Sequence, residues 1–413
     1  MQDGAVQKLG VIGLGYIGLP TAATFAASGL EVVGVDVNQR VRDSVNAGIA
    51  HIEEGDLDTL VATVVGQGRL RACAEPVPCD AFIIAVPTPV SHDSVRLPDI
   101  SYVESAARAI APVLGPGNIV ILESTSPVGT TDRVRDILAE LRTDLRFPGL
   151  DPDPQIHIAY CPERIIPGRM LEELKSNDRI VGGMTNRCTE LSVALYKRFV
   201  QGACIESDVR TAEMVKLTEN AFRDVNIAFA NELSMVCDAL HLDVWEIIRL
   251  ANRHPRVSIL NPGAGVGGHC IAVDPWFIIS SAPEQSRLMR TAREVNLHKT
   301  EDIISQLSAM LDQDQDCKLG CFGLTYKADV DDFRESPALQ IAHALTAKYP
   351  GRVLSSDPFS AALGELGSGL VVRDAEAVLA EVTAAAVLVA HTSFRSLVFP
   401  DSMRLMDAVG LWK

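Results

Sequence analysis

The chain has 413 residues, more than a single hydrophobic core usually organises, so two or three domains are expected. Its formal net charge of −16 argues against nucleic-acid binding, and no apolar run approaches the roughly eighteen residues that would span a bilayer. The nine cysteines form no C-x-x-C pair and the nine histidines no H-E-x-x-H cluster, so neither a disulfide framework nor a metal site is predicted. Because the first residues lack a basic and then apolar leader, a cytoplasmic location is expected.

Short apolar runs alternate with helical patterns through the first part of the chain, which predicts a parallel, doubly wound sheet of the Rossmann type. The predicted strands are LGVIGLG (9–15), EVVGVDV (31–37), AFIIAV (81–86), IVILES (119–124) and IHIAY (156–160).

From about residue 208 the pattern becomes helical for some thirty residues without proline or glycine, and two further helices follow. After a polar linker, three more strands and two helices predict a second, smaller α/β unit. We therefore predict a Rossmann-type domain over 1–206, a central all-helical domain over 207–312, and a smaller Rossmann-like α/β domain over 313–413. The long helix is apolar around much of its circumference, so either a subunit interface or the core of its own chain covers it.

The segment GLGYIG, which follows the first predicted strand, matches the glycine pattern of a dinucleotide-binding turn. Gly13, Gly15 and Gly18 would allow the tight turn and the approach of a pyrophosphate to a helix N-terminus. Asp36 ends the next strand, where an acceptor for the ribose hydroxyls is needed, and its charge favours NAD over NADP. Arg40 nearby is the one feature against that preference, and a turn shaped only for packing is the alternative.

Polar residues end three later strands, in AVPTP with Thr88, ESTSPVGTT with Thr125 and Thr131, and YCPERIIPG with Glu163 and Arg164. Any one of these could be an ordinary turn. Since ligands of open parallel sheets bind at the carboxyl ends of the strands, the three together predict the nicotinamide and substrate edge.

On the long helix, Lys216, Asn220 and Arg223 recur at helical spacing and share a face. A solvated stripe is the common fate of such residues. Apolar neighbours would partly desolvate Lys216 and let it act as an acid or base, and the residues alone leave both interpretations open.

The loop NPGAGVGGHCIAVDP contains Cys270 and Asp274. The thiol could be a nucleophile or a buried structural cysteine, and Asp274 could accept a proton or begin a turn. The segment NRHPRV before this loop, with His254 and Arg256, could pair with phosphate or simply follow a helix end. In the last unit, the loop GLTYKADVDDFRESPAL carries Tyr326, Lys327 and Arg334 before a helix N-terminus.

In this order, GLGYIGLP, STSPVGTT, CPERIIPG, the Lys216–Asn220 helix, GVGGHC and KADVDDFRESP resemble the nucleotide-sugar 6-dehydrogenase family, which includes the UDP-glucose and GDP-mannose dehydrogenases. The versions found here are most similar to the branch that oxidises UDP-N-acetyl-D-mannosamine for bacterial surface polysaccharides. His269 stands where UDP-glucose enzymes usually have serine.

The resemblance implies a four-electron oxidation with NAD, through an aldehyde and a thioester on Cys270. It implies proton transfer by Lys216, orientation by Asn220, and handling of the hydrolytic water by Glu163 and Asp274. The glycines of the loop would give clearance for the UDP-sugar, and the central helices would form a homodimer. Residues implied at the UDP-sugar are Arg164, Ile165, Lys216, Asn220, Arg223, His254, Arg256, Gly267, Tyr326 and Lys327; those implied at NAD are Gly13, Gly15, Tyr16, Ile17, Gly18, Asp36, Arg40, Thr88, Thr125, Thr131 and Arg334.

Several alternatives remain at this stage. The same chemistry could act on UDP-N-acetylglucosamine or UDP-glucose. A two-electron 3-hydroxyacid-type dehydrogenase also pairs a dinucleotide-binding turn with a Lys-x-x-x-Asn helix, but needs no cysteine nucleophile and no third unit. A nucleotide-sugar epimerase would normally show a Tyr-x-x-x-Lys pair, and a binding-only sensor would not need Lys216, Cys270 and Glu163 together.

Overall fold

A computed structural model describes residues 6–52, 54–91, 96–165 and 168–413. Contacts divide the chain into two compact units, the first comprising Met1–Thr218 with Trp276–Ser281 and the second Glu219–Pro275 with Ala282–Lys413. The three-domain division made from the sequence stays a prediction. None of the helices in these described ranges is both long and apolar enough to cross a membrane.

The first unit contains an eight-stranded sheet whose order is β3-β2-β1-β4-β5-β6-β7-β8. Its strands are β1 Lys8–Ile12, β2 Glu31–Val35, β3 Leu70–Cys73, β4 Ala81–Ile84, β5 Ile119–Leu122, β6 His157–Tyr160, β7 Arg179–Gly183 and β8 Cys204–Asp208. The first six strands run parallel, which confirms the Rossmann-type fold. The pairing of β6 with β7 is antiparallel, and β8 follows the direction of β7. The sequence analysis did not predict this reversal.

Apolar residues fill both faces of the large sheet, because successive side chains of a strand point to opposite sides. On β4, Ile83 packs into one cluster while Phe82 and Ile84 pack into the other. The helices of this unit are α1 Gly18–Ala27, α2 Gln39–Asn46, α3 Leu57–Gly66, α4 Ser101–Ile110, α5 Thr130–Leu141, α6 Met170–Ser176 and α7 Asn186–Tyr196.

The long predicted helix is α8, Val209–Leu240, and the next helices are α9 Val244–Ala251, α10 Asp274–Ser281 and α11 Arg287–Gln313. Buried polar side chains join α8 to α11 in the second unit. The Arg293 guanidinium lies 2.6 Å from the Asp224 carboxylate, and the Asn231 amide donates to Asn296 over 2.9 Å. The side-chain amide oxygen of Asn231 accepts the backbone N–H of Gly263 at 2.9 Å, which anchors the start of the glycine loop.

The second unit carries a smaller parallel sheet with the order β10-β9-β11-β12, as the α/β pattern predicts. Its strands are β9 Leu319–Phe322, β10 Val353–Ser356, β11 Ala384–Val387 and β12 Arg404–Asp407, and its helices are α12 Pro337–Lys348 and α13 Ala375–Leu379. Ser336 caps α12 by accepting the N–H of Leu339.

Both sheets repeat one local arrangement, an aspartate that follows the second strand and accepts a backbone N–H beyond the first. Asp36 accepts the N–H of Leu14 at 3.0 Å, and Asp357 accepts that of Leu324 at 2.6 Å. The copies differ in access: Asp36 is half-buried, whereas Asp357 is only 5% exposed and lies 3.2 Å from Nε2 of the buried His391.

Candidate active site

The glycine turn after β1 combines backbone packing with one open position. Gly13 has a φ of +92°, and a β-carbon there would lie 2.5 Å from the carbonyl oxygen of Ala85. A β-carbon on Gly18 would overlap the Gly13 carbonyl. Gly15, in contrast, is exposed and has no atom within 4 Å of the position of a β-carbon. Two glycines therefore close the turn, and the third leaves room for a ligand to approach the backbone.

The surroundings of this turn fit a dinucleotide. Helix α1 begins at Gly18 without a side-chain cap and without an acidic residue in its first turn, so its N-terminus suits an anionic group. The Asp36 carboxylate also accepts the N–H of Asn38 at 2.8 Å and so is held at the tip of β2. Tyr16 and Arg40 are exposed and Ile17 is half-buried.

The ends of β4 and β5 are tied together by side chains. The Thr88 hydroxyl donates to the carbonyl oxygen of Thr125 at 2.6 Å, and the Ser124 hydroxyl donates to that of Val86 at 2.7 Å. These bonds place Thr88 and Thr125, both half-buried, next to each other at the carboxyl edge, as the strand tips predict.

Thr131 lies in a different environment, fully buried in the first turn of α5. Its N–H and hydroxyl both donate to one oxygen of Glu213, at 2.8 and 2.7 Å, and the N–H of Gly129 donates to the other oxygen at 2.6 Å. Burial raises the pKa of Glu213, and these hydrogen bonds act against that rise. Glu213 was not predicted from the sequence, although its place on α8, one turn before Lys216, was an available signal.

Glu163, predicted at the tip of β6, is 7% exposed and belongs to a buried ion cluster. One oxygen of Glu163 lies 3.0 Å from the Arg179 guanidinium, and the other accepts the N–H of Arg164 at 2.7 Å. The same guanidinium lies 3.2 Å from Glu123 at the tip of β5. Burial raises the pKa of Glu123 to about 7, although the positive charge of Arg179 opposes this.

Arg179 was also missed, for a topological reason. It is the first residue of β7 and would lie at the far edge of a wholly parallel sheet. Because β7 is antiparallel to β6, its beginning lies where β5 and β6 end, beside the two glutamates. Arg164 and Ile165, predicted to contact substrate, are half-buried just after Glu163, while Ile166 and Pro167 of the same motif lie outside the described residues.

The polar face of α8 changes in exposure along its length. Lys216 is half-buried, Asn220 is 7% exposed and Arg223 is exposed. The Asn220 side-chain N–H donates to the carboxylate of Asp274, which is the first residue of α10 and is itself buried. The structure thus brings together Asn220 and Asp274, two of the predicted catalytic residues. Their catalytic roles stay predictions.

Cys270 differs from every other cysteine of the chain. All nine are thiols within the described residues; six are buried, two are half-buried, and Cys270 alone is exposed. Its carbonyl oxygen accepts the N–H groups of Val273 and Asp274 at 3.1 and 2.9 Å, so the thiol is held on a turn that leads directly into α10. An accessible thiol fits a nucleophile better than a structural cysteine.

The glycines before Cys270 are close to protein atoms of the second unit. A β-carbon on Gly268 would lie 2.8 Å from the Tyr326 ring, and one on Gly267 would collide with the Glu335 carbonyl oxygen. Gly268 also has a φ of +80°. At these two positions the close approach is to Tyr326 and Glu335, and the clearance for a ligand stays a prediction.

The loop after β9 is shaped by its own polar groups. The N–H of Tyr326 donates to the carbonyl oxygen of Asp332 at 3.0 Å, and the guanidinium of Arg334 binds the Asp332 carboxylate at 2.7 and 2.8 Å. His269 Nε2 lies 4.0 Å from the same carboxylate. Tyr326 is half-buried and Lys327 exposed, and His254 and Arg256 are exposed beyond the end of α9. Among the residues that the structure describes, no group of three or more His, Cys, Asp or Glu could hold a metal ion.

Comparison with known proteins identifies three consecutive family models along the chain. The NAD-binding, central and UDP-binding domains of the UDP-glucose/GDP-mannose dehydrogenase family match residues 7–200, 210–298 and 320–411.

Individual relatives match over almost the whole length. The NDP-N-acetyl-D-galactosaminuronic acid dehydrogenase of Ralstonia nicotianae is 52% identical over 98% of this chain and 96% of its own. The UDP-N-acetyl-D-mannosamine dehydrogenase of Escherichia coli is 50% identical over 98% and 99%, respectively. The structure of the UDP-D-ManNAc dehydrogenase of Pyrococcus horikoshii superposes with a TM-score of 0.87 at 37% identity, covering 98% of this chain and 96% of that one.

Substitution of Gly268 by alanine tests whether the loop glycines are needed for packing. We expect Gly268→Ala to lower the free energy of unfolding by roughly 1–3 kcal/mol, because the backbone is left-handed there and the Tyr326 ring blocks the new methyl group. Gly263→Ala in the same loop is the matched control, since nothing lies nearer than 4.0 Å to its β-carbon position. Equal midpoints for the two variants in chemical denaturation would contradict the packing role.

Proposed function

Because the chain belongs to the UDP-glucose/GDP-mannose dehydrogenase family, we propose that it oxidises UDP-N-acetyl-D-mannosamine to UDP-N-acetyl-D-mannosaminuronate with NAD. The observation that carries the proposal is Cys270, the one exposed thiol of nine. It lies on the turn that leads to Asp274, whose carboxylate accepts a hydrogen bond from Asn220. The E. coli relative named for this sugar, 50% identical over nearly the full length, supports the choice of substrate.

The reaction converts a primary alcohol into a carboxylate. NAD, when bound, supplies the oxidising power: two molecules take up one hydride each, and with one water the products are the uronate, two NADH and three protons. Gly15, the uncapped start of α1 and Asp36 would hold this cofactor, and the carboxylate at Asp36 favours a ribose hydroxyl over a 2′-phosphate. Thr88, Thr125 and Arg334 are proposed to contact it as well, together with Thr131 through the segment that Glu213 holds.

Cys270 makes the second oxidation possible in this proposal. A free aldehyde has no oxyanion that can expel a hydride. Addition of the Cys270 thiolate forms a C–S bond, and the carbonyl oxygen becomes that oxyanion. Loss of hydride then leaves a thioester on Cys270. Addition of water breaks the C–S bond and returns the thiolate.

The proton transfers and the orientation of the reacting groups are assigned to side chains of the sequence motifs. Lys216, half-buried on α8, accepts the alcohol proton and stabilises negative charge on oxygen. Asn220, fixed by Asp274, orients that oxygen or the water. Glu163 and Asp274 accept the protons released during hydrolysis. Residues proposed to bind the UDP-sugar are Arg164, Ile165, Arg223, His254, Arg256, Gly267, Tyr326 and Lys327.

A second substrate class is favoured by one specific finding. The Ralstonia nicotianae relative, named for N-acetyl-D-galactosaminuronic acid, is as similar to this chain as the E. coli relative, at 52% identity. The two sugars share the 2-acetamido group and the reacting sixth carbon, so the chemistry proposed here would be the same. We therefore keep a UDP-N-acetylgalactosamine-type substrate as the second candidate.

We also propose that the protein is a homodimer through its central helices. Phe222, Phe229 and Val236 recur every seven residues on α8 and, with Leu240, form a stripe that is 47–67% exposed. We call these four residues the α8 stripe. Four large apolar side chains exposed along one helix are typical of a subunit interface. A second copy is the occupant that a symmetric pairing of such a helix would supply.

We further propose that the protein acts in the cytoplasm and provides an activated uronate for surface polysaccharide synthesis. All nine cysteines are thiols, which suits a reducing compartment. A nucleotide-linked uronate is the form in which a glycosyltransferase would accept such a sugar.

The stoichiometry of NADH formation tests the proposed reaction. With purified protein, NAD and UDP-N-acetylmannosamine, we expect two NADH per sugar consumed. Cys270→Ser should lower turnover by roughly 100-fold or more, since the serine hydroxyl is a far weaker nucleophile at neutral pH. Absorbance at the NADH band and quantification of the uronate give both values.

Cys204→Ser is the matched control for this variant, because Cys204 is half-buried on an edge strand, and its turnover should stay within about twofold of the parent. One NADH per sugar, or full activity of Cys270→Ser, would rule out the thioester route. A higher kcat/KM for UDP-N-acetylgalactosamine than for UDP-N-acetylmannosamine would select the second candidate.

The mass of the protein in solution tests the dimer. We expect sedimentation equilibrium to give twice the chain mass, and Phe229→Asp to give a folded monomer, because it places a charge in the centre of the α8 stripe. Val398→Asp alters another apolar residue, 85% exposed in the second unit, and should leave the dimer intact. A monomeric parent protein, or a dimer unaffected by Phe229→Asp, would exclude this interface.

A further inference from the structure

Arg179 is a buried charged residue that the proposed mechanism has not used. It is 3% exposed, and its guanidinium lies between Glu123 and Glu163, the carboxylates at the ends of β5 and β6. The face of the Tyr196 ring, centred 4.6 Å away, further fixes the orientation of the guanidinium. These contacts together fix how the guanidinium faces each carboxylate.

Glu163 is held in that geometry from two sides. One of its oxygens accepts from Arg179 at 3.0 Å, and the other accepts the N–H of Arg164 at 2.7 Å. The first bond comes from a neighbouring strand and the second from the adjoining residue of the chain. The carboxylate therefore cannot rotate without breaking a hydrogen bond.

Glu123 shares the same cation. It accepts from Arg179 at 3.2 Å, from the Tyr196 hydroxyl at 3.2 Å and, with its other oxygen, from the Thr21 hydroxyl at 3.2 Å. It is 1% exposed, so it cannot meet a substrate directly. Its role must be exerted through Arg179.

We propose that Arg179 is a positioning residue, which orients Glu163 to activate the water that hydrolyses the thioester, and that Glu123 adjusts this action by sharing the guanidinium. The inference rests on the proposed function, since it concerns the hydrolysis of the Cys270 thioester. In that step, Glu163 accepts one proton of the water as the water oxygen bonds to the thioester carbon. The C–S bond then breaks, the thiolate leaves, and the second proton is lost from the new carboxylic acid.

Within this cluster, Glu123 is the group whose protonation state changes near neutral pH. Burial raises the pKa of Glu123 to about 7. The other titratable groups packed against Arg179 stay neutral there, because burial raises the pKa of the Cys161 thiol to about 12 and that of the Tyr196 hydroxyl well above its usual value. Below pH 7 the guanidinium is paired with Glu163 alone. Above pH 7 the ionised Glu123 competes with Glu163 for the guanidinium, so hydrolysis should speed up as pH rises through 7.

The test separates formation of the thioester from its hydrolysis. Single turnovers with NAD and UDP-N-acetylmannosamine are followed by NADH absorbance and by the intact mass of the protein, which reports the adduct on Cys270. The variants are Arg179→Lys, whose ammonium cannot bond both carboxylates in the same plane, and Glu123→Gln, which keeps the hydrogen bonds but removes the charge. Arg187→Lys is the matched control, because Arg187 pairs with Glu190 on the solvent side of α7.

Arg179→Lys is expected to form the adduct at a rate within about twofold of the parent but to hydrolyse it roughly tenfold more slowly or worse, so the adduct accumulates. Glu123→Gln is expected to lose the rise in hydrolysis rate near pH 7, and Arg187→Lys to behave as the parent. A purely structural role would lower thermal stability without changing the ratio of the two rates or the pH profile.

The outcomes distinguish this inference from the proposed function. If the parent protein forms two NADH per sugar and a Cys270 adduct, yet the variants keep its hydrolysis rate and pH profile, the positioning role is wrong and the proposed function stands. If the parent forms one NADH per sugar and no adduct, both are wrong. If Arg179→Lys does not fold, the pH profile of Glu123→Gln decides alone: a retained inflection overturns the inference, and a lost one supports it.

Discussion

One buried positive charge, Arg179, sets a strong constraint on the first unit. Removing the partner of a buried ion costs about 3–5 kcal/mol, so Arg179 is tolerated only while Glu123 and Glu163 face it. Meeting that requirement aligns the ends of β5 and β6 with the beginning of β7. The reversal of β7 is what makes the alignment possible, because a parallel strand would begin at the opposite edge. The direction of β7 and the pairing of the two carboxylates at the sheet edge therefore depend on each other.

Much of the fold could be predicted because its signals are local. Apolar runs, the dinucleotide-binding turn and the long uninterrupted helix each depend on neighbouring residues, and the structure has β1, β2, β4, β5, β6 and α8 close to their predicted places. Strands β3, β7, β8 and β12 were missed. The residues of β8, CIESD, are mostly polar and exposed, as suits an edge strand, and carry little hydrophobic pattern. Without β7 and β8, the direction of the sheet beyond β6 could not be known.

The residues of the candidate site were likewise predictable where their signal is local and not where their partners are distant in the chain. Asp36, Thr88, Asn220 and Asp274 follow from motif position, and the structure places Asn220 against Asp274. Arg179 and Glu213 act across distances of 16 to 84 residues, and nothing near them in the chain announces their partners. The glycines of the Cys270 loop show a different limit of the sequence. Their number correctly indicated a close approach, but sequence cannot say to which atoms, and at Gly267 and Gly268 the neighbours are Glu335 and Tyr326.

The repeated aspartates, Asp36 and Asp357, bear on a difficulty that any chain with two nucleotide-binding sheets must face. Two similar sheets would compete for the same ligand if both offered an open carboxylate to a ribose. Here Asp357 is buried, its oxygens accept backbone N–H groups, and one of them lies against the His391 imidazole. Asp36 also accepts backbone N–H groups but is only half-buried. Burial against one imidazole thereby makes two copies of one supersecondary design unequal, with a partly accessible carboxylate in the first sheet and a covered one in the second.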